Sequence, residues 1–137
     1  MGSPQRIIIP GLVINLPIVA GNYDKEAQEW SLSNTSANFA TNTNNPNNKG
    51  GKTLIYGHAL ASIFGKLNKL SSEDTVYIVT NNGHTLSYKM KSVEIVPPTD
   101  TSVFDKMGGT PGLYLVTCDG TWSTNRRIIS LDLMEVS

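Results

Sequence analysis

Thr75-Val76-Tyr77-Ile78-Val79-Thr80, Asn81-Asn82-Gly83 and His84-Thr85-Leu86-Ser87-Tyr88-Lys89-Met90 follow one another without a break, and the fold turns on them. Two runs rich in β-branched and aromatic residues flank an Asn-Gly pair. Asn-Gly supplies the positive-φ positions of a tight turn, so the stretch predicts a β-hairpin. Downstream, Val93-Glu94-Ile95-Val96 prolongs the second strand until Pro97-Pro98 stops it. Upstream, Ile7-Ile8-Ile9 meets a Pro10-Gly11 turn and resumes from Leu12 to Val19. Prolines here mark strand starts or edges, because proline cannot donate to a ladder. Thr53 to Tyr56, Leu113 to Cys118 and Arg127 to Leu133 are further apolar runs. Helical signals are short. Asp24 to Trp30 reads as a helix with Asp24 as N-cap. Ser62 to Leu70 sets Ile63, Phe64, Leu67 and Leu70 at helical spacing. A helical turn over Thr101 to Lys106 follows Asp100 as cap. Many short strands with few helical segments predict an all-β fold, a closed barrel or a sandwich.

The 137 residues suit one domain, and no linker or internal repeat divides them. The domain is read as 4–137, with Met1-Gly2-Ser3 as an expression leader. Lys+Arg and Asp+Glu both number 11, so the formal charge is zero. That argues against a nucleic-acid or polybasic membrane module, which needs a basic surplus. No run approaches the ~18–20 apolar residues of a membrane span. The single cysteine excludes an internal disulfide and a Cys-rich metal site. Asn38 to Gly51 carries six asparagines at 38, 42, 44, 45, 47 and 48 and reads as a surface loop. A loop this long is either a connector or a substrate-facing lid.

Cysteine chemistry needs a thiolate, a proton carrier and a donor for the developing oxyanion. Cys118 ends an apolar strand just before Asp119-Gly120, a boundary that suits a reactive thiol better than a mid-strand core position would. His84 follows a hairpin turn and reads as solvated. His58 ends the strand in Tyr56-Gly57-His58 and stands where sites are built, although a structural role is open to it. Arg126 and Arg127 open the last strand. Successive strand residues face opposite sides, and Arg127 shares parity with Ile129, Leu131 and Leu133. Parity therefore puts Arg127 on the inner side and makes it the first candidate for the oxyanion, with Arg126 as the alternative.

Taken together, these residues resemble the sortase family of cysteine transpeptidases. Tyr114-Leu115-Val116-Thr117-Cys118 is similar to the family's Thr-Leu-x-Thr-Cys, departing at the first position. Gly57-His58 after a strand resembles the family's histidine, and Arg127-Ile128-Ile129 its arginine followed by aliphatics. Arg6 to Pro10, Leu16 to Val19 and Val93 to Asp100 are also similar, so the likeness spans nearly the whole chain. It implies an eight-stranded closed β-barrel with a few short helices. It implies cleavage of a Leu-Pro-x-Thr-Gly-like sorting signal through a thioacyl-enzyme, with transfer to an amine acceptor. That acceptor would be a lipid-linked peptidoglycan precursor or a pilin lysine. Cys118 would be the nucleophile, His58 the acid and base, and Arg127 the oxyanion partner. Thr117, Ala59, Leu60 and Ile95 would line the substrate groove. Calcium-dependent members cluster carboxylates around a loop, whereas the acidic residues here are scattered, so no metal and no cofactor are expected. The resemblance implies a monomer at the outer face of a bacterial membrane, with its natural anchor removed. It leaves the class open between small housekeeping-like and class D/E/F-like members. A barrel of this fold that mainly hydrolyses its substrate, or a binding module with a structural Cys118, remains an alternative.

Overall fold

The computed structural model describes residues 2–21, 23–24, 29–30, 36–57, 64–97, 102–119 and 125–137; at 23–24, 29–30, 104–105 and 118–119 it describes the backbone alone. The strands are β1 (Pro4–Ile9), β2 (Ile14–Gly21), β3 (Tyr23–Asp24), β4 (Glu29–Trp30), β5 (Ala37–Ala40) and β6 (Lys52–Gly57). They continue as β7 (Thr75–Thr80), β8 (Thr85–Val96), β9 (Gly112–Asp119) and β10 (Asn125–Val136). Eight of them close into a barrel in the order β1-β2-β5-β6-β9-β10-β8-β7, and β3 pairs with β4 apart from it. Closure removes the unpaired edges that an open sheet would expose.

The hairpin of β7 and β8 forms as its Asn-Gly turn dictates, with Gly83 at φ 89°. Along β7, Val76 and Ile78 are fully buried while Tyr77 and Val79 are not, the period-2 alternation of a strand with one face inward. The barrel core gathers Ile7, Ile9, Ile55, Ile78, Leu86, Leu115 and Ile129, all at zero exposure. Each such side chain contributes about 1.5–3 kcal/mol by leaving water. A second apolar cluster lies on the outer face of the sheet, where Leu54, Tyr56, Tyr114, Val116 and Ile128 meet Val103 and Val96. The connection from β8 to β9 supplies Val103 and Met107 to this cluster, so it crosses the outside of the sheet.

The helical expectations need correction. Residues Tyr23–Asp24 and Glu29–Trp30 pair as antiparallel strands, not as one helix; 25–28 lie outside the described residues. Tyr23 and Trp30, which stand in register, are aromatic residues that favour strands over helices. Between 64 and 70 the chain makes turns and one 3₁₀ segment, Leu67–Lys69, in place of an α-helix. Phe64, Leu67 and Leu70 are all buried, and their spacing of three fits a 3₁₀ turn as well as an α-helix. The helical turn expected over Thr101 to Lys106 does form, as the 3₁₀ segment Ser102–Lys106, while Asp100 and Thr101 lie outside the described residues.

The asparagine-rich loop is shorter than expected. Asn38, Phe39 and Ala40 belong to β5 and are buried, with Asn38 in register with Val19 and Tyr56. The remaining loop precedes Lys52 and therefore sits at the end of β6 opposite Gly57. It is tied down there. The Asn44 amide donates to the carbonyls of Lys52 and Met107, each at 3.1 Å. Gly51 N–H donates to Gly109 at 2.8 Å, Lys52 N–H to Met107 at 2.7 Å, and the Lys52 ammonium to the Thr110 carbonyl. Within the loop, Asn47 Oδ1 accepts from the amides of Lys49 and Gly50. These bonds make the loop a fastened connector.

Candidate active site

Thr117 and Cys118 lie on β9, Arg126 and Arg127 on β10 and Ile95 on β8, while β6 ends at Gly57, the residue before His58. β6 runs parallel to β9, and β9 runs antiparallel to β10. Reading across them gives rows of residues in register. Ile55, Leu115, Ile129 and Val93 form one row; Tyr56, Val116, Ile128 and Glu94 form the next; Gly57, Thr117, Arg127 and Ile95 form the third. One step further, Cys118 stands opposite Arg126, and Arg126 opposite Val96.

Alternate rows face alternate sides. Ile55, Leu115 and Ile129 belong to the barrel core, so the third row is also an inner row. Tyr56, Val116 and Ile128 belong to the outer cluster, as does Val96. The row of Arg126 and Val96 is therefore an outer row, and the backbone of Cys118 stands in register with it. Arg127 does share the parity of Ile129 and Leu131, but the inner side is the closed apolar core. The register partner of Cys118 is Arg126, while that of Thr117 is Arg127. Both arginines are half-buried.

His58 follows Gly57 directly, and Gly57 is in register with Thr117, the residue before Cys118. His58, Ala59 and Leu60 themselves lie outside the described residues. Thr117 is buried, and its hydroxyl donates to the Gly57 carbonyl at 3.0 Å. Ile95 is 44% exposed on β8, in the inner row at the mouth of the barrel.

Tyr56 is a residue that sequence reasoning passed over. It is buried in the outer row that precedes the Cys118 row, in register with Val116. Any side chain at Gly21 would collide with its hydroxyl, so β2 passes close to Tyr56 because residue 21 is glycine. The alternation Leu54, Tyr56, His58 in the sequence was the available signal. The outer face also holds a cleft of about 250 Å³ between β8, β10, β9 and the 3₁₀ segment, lined by Lys91, Glu94, Val103, Lys106, Tyr114 and Ile128. The Lys106 ammonium lies 3.7 Å from a Glu94 carboxylate oxygen at its rim, both well exposed. His84 lies just before β8 at the hairpin turn, away from these rows. Among the described residues no three His, Cys, Asp or Glu gather where they could hold a metal, and no helix is long and apolar enough to cross a membrane.

Comparison with known proteins bears on this arrangement. A family model described as the sortase domain matches residues 7–132. A group B Streptococcus pilus island 1 sortase C2 superposes with a TM-score of 0.76 at 21% identity, over 96% of this chain and 73% of that one. Sortase C-1 of Actinomyces oris gives 0.74 at 23% identity, over 97% and 76%. Listeria monocytogenes sortase A gives 0.78 at 19% identity, over 100% and 90%. No curated protein matches the chain in sequence.

Proposed function

The chain belongs to the sortase family, and from that premise we propose that it is a cysteine transpeptidase whose nucleophile is Cys118. The single observation carrying this reading is the register at one end of the barrel. Gly57, which precedes His58 in the sequence, pairs with Thr117, which precedes Cys118, and Arg126 stands opposite Cys118.

The Cys118 thiolate attacks the Thr–Gly carbonyl of a Leu-Pro-x-Thr-Gly-like sorting signal. The carbonyl π-electrons move to oxygen, and the Arg126 guanidinium donates to that oxyanion without losing its own proton. Collapse of the tetrahedral intermediate breaks the C–N bond. His58, as imidazolium, protonates the departing glycine amine. The resulting thioester keeps the acyl group activated until an acceptor amine arrives. His58, now neutral, takes the proton of that amine as it attacks, and the thiolate leaves. Water in place of the amine gives hydrolysis.

Register favours Arg126 over Arg127 for the oxyanion, because Arg126 is the cross-strand partner of Cys118, whereas Arg127 pairs with Thr117. Val96 stands in the Cys118 row, and Tyr56, Val116 and Ile128 in the next outer row; these apolar residues are suited to contact the Leu-Pro portion. Ala59, Leu60 and Ile95 are retained as groove-lining candidates. The acceptor is the amine of a lipid-linked peptidoglycan precursor or of a pilin lysine. The place of action is the outer face of a bacterial membrane, held there by an anchor outside this domain.

A fluorogenic Leu-Pro-x-Thr-Gly peptide with a glycine-peptide acceptor tests the reading. Cleavage and ligation are expected, with loss on the order of 10⁴-fold or more in Cys118→Ala. Cleavage that survives Cys118→Ala would sink the mechanism.

A further inference from the structure

The last register pairs of two parallel strands lack the closure that a tight turn gives a hairpin, so strand ends are where pairing opens first. At the end of β6 and β9 one side chain adds to the ladder. The Thr117 hydroxyl, in a residue only 5% exposed, donates to the Gly57 carbonyl at 3.0 Å. Thr117 and Gly57 are themselves partners in register. The residues that follow them in the sequence are Cys118 and His58.

We propose that Thr117 is a positioning residue, whose hydroxyl holds the strand end that carries His58 and the strand end that carries Cys118 in one frame. The proposal rests on reading Cys118 and His58 as the reacting pair. Three properties of the bond suit the task. It is buried, so water competes little for either partner and the bond is stronger than one at the surface. Its donor sits on a β-branched side chain whose χ1 is confined, so the hydroxyl keeps its direction. Its acceptor is a backbone carbonyl, so the constraint falls on the peptide unit that joins Gly57 to His58. Proton transfer between thiol and imidazole is sensitive to small displacements, and a misplacement of about 1 Å costs on the order of 100-fold. Thr117 would then act through geometry and not by touching the peptide.

Cys118 is the only cysteine, so alkylation by iodoacetamide reports on it alone, with no peptide substrate needed. The pH profile of that rate reads the thiol and its coupling to His58. In the intact domain, His58→Ala is expected to shift the profile. Thr117→Val keeps the branched shape and deletes the donor. It is expected to shift the profile in the same direction and to lower kcat on the order of 10–100-fold with KM nearly unchanged. Thr117→Ser, which restores the hydroxyl, is expected to recover both; it also serves if the valine variant does not fold. An unmoved profile and kcat in Thr117→Val, a Ser variant as impaired as the Val variant, or a rise confined to KM would each overturn the positioning role. A wild-type profile indifferent to His58→Ala would overturn the reacting pair instead.

Discussion

The two faces of β9 and β10 differ in kind. On the inner face Leu113, Leu115, Ile129 and Leu131 are completely buried in one contiguous core. On the outer face Tyr114, Val116 and Ile128 form a smaller cluster, against which Val103 and Met107 of the β8–β9 connection pack. A closed inner face can store stability but cannot admit an extended peptide. Among the described residues the outer face is covered by this crossing segment and leads along alternate rows to the register pair of Cys118 and Arg126. The same strands thus serve core packing on one side and, in the proposed mechanism, chemistry on the other, and a shift of one residue exchanges the two.

Truncations on opposite faces should separate these roles. Leu115→Ala is expected to lower stability by about 2–5 kcal/mol in urea unfolding, because it opens a cavity in the core. The folded fraction should keep its kcat. Val116→Ala, one residue on, should raise KM for the peptide with a smaller stability loss. Equal effects on KM from both variants would break the distinction between the faces.

Tyr88 sharpens it further. This inner-face phenol is buried among apolar side chains, and desolvation pushes its pKa well above the usual tyrosine value of 10.0. Its folded pKa is raised, so its contribution is fully present below about pH 10. It is lost as pH rises above that, because the unfolded chain releases the proton first. Stability should fall between about pH 10 and 12 by up to about 1.4 kcal/mol per pH unit, measured by urea unfolding. Tyr88→Phe should flatten that slope, and an unaltered slope would mean the phenol is not the group responsible.

The smallest effect concerns the far end of the barrel. Asn44→Ala removes two amide bonds from the fastened loop and should cost about 1–3 kcal/mol. Peptide turnover should not change, since the loop sits opposite Gly57. A change in turnover would revive the loop as a lid.

Much of this architecture was legible in the residues themselves. The Asn82-Gly83 turn, the alternation through β7 and the apolar runs ending in Cys118 and beginning at the arginines led to an all-β fold, barrel or sandwich, and the resemblance to sortases narrowed it to a closed eight-stranded barrel. The helix expected at Asp24 to Trp30 failed because its two ends pair as strands, with the aromatic Tyr23 and Trp30 in register. The α-helix expected through Leu70 failed because burial at every third position does not distinguish 3₁₀ from α geometry. At the site, parity correctly grouped Arg127 with Ile129 and Leu131. What a single strand could not reveal is which side of the sheet Cys118 shares, because that depends on register between two strands joined by residues 120–124. One residue more or less in that connection exchanges the two arginines.

The arginines therefore give the most direct test. Steady-state kinetics of Arg126→Gln and Arg127→Gln should be compared on the Leu-Pro-x-Thr-Gly peptide, with folding verified for each. Removing one oxyanion donor is expected to lower kcat on the order of 100–1,000-fold, and this loss should fall on Arg126→Gln while Arg127→Gln stays near wild type. A larger loss in Arg127→Gln would contradict the outer-row placement of the chemistry.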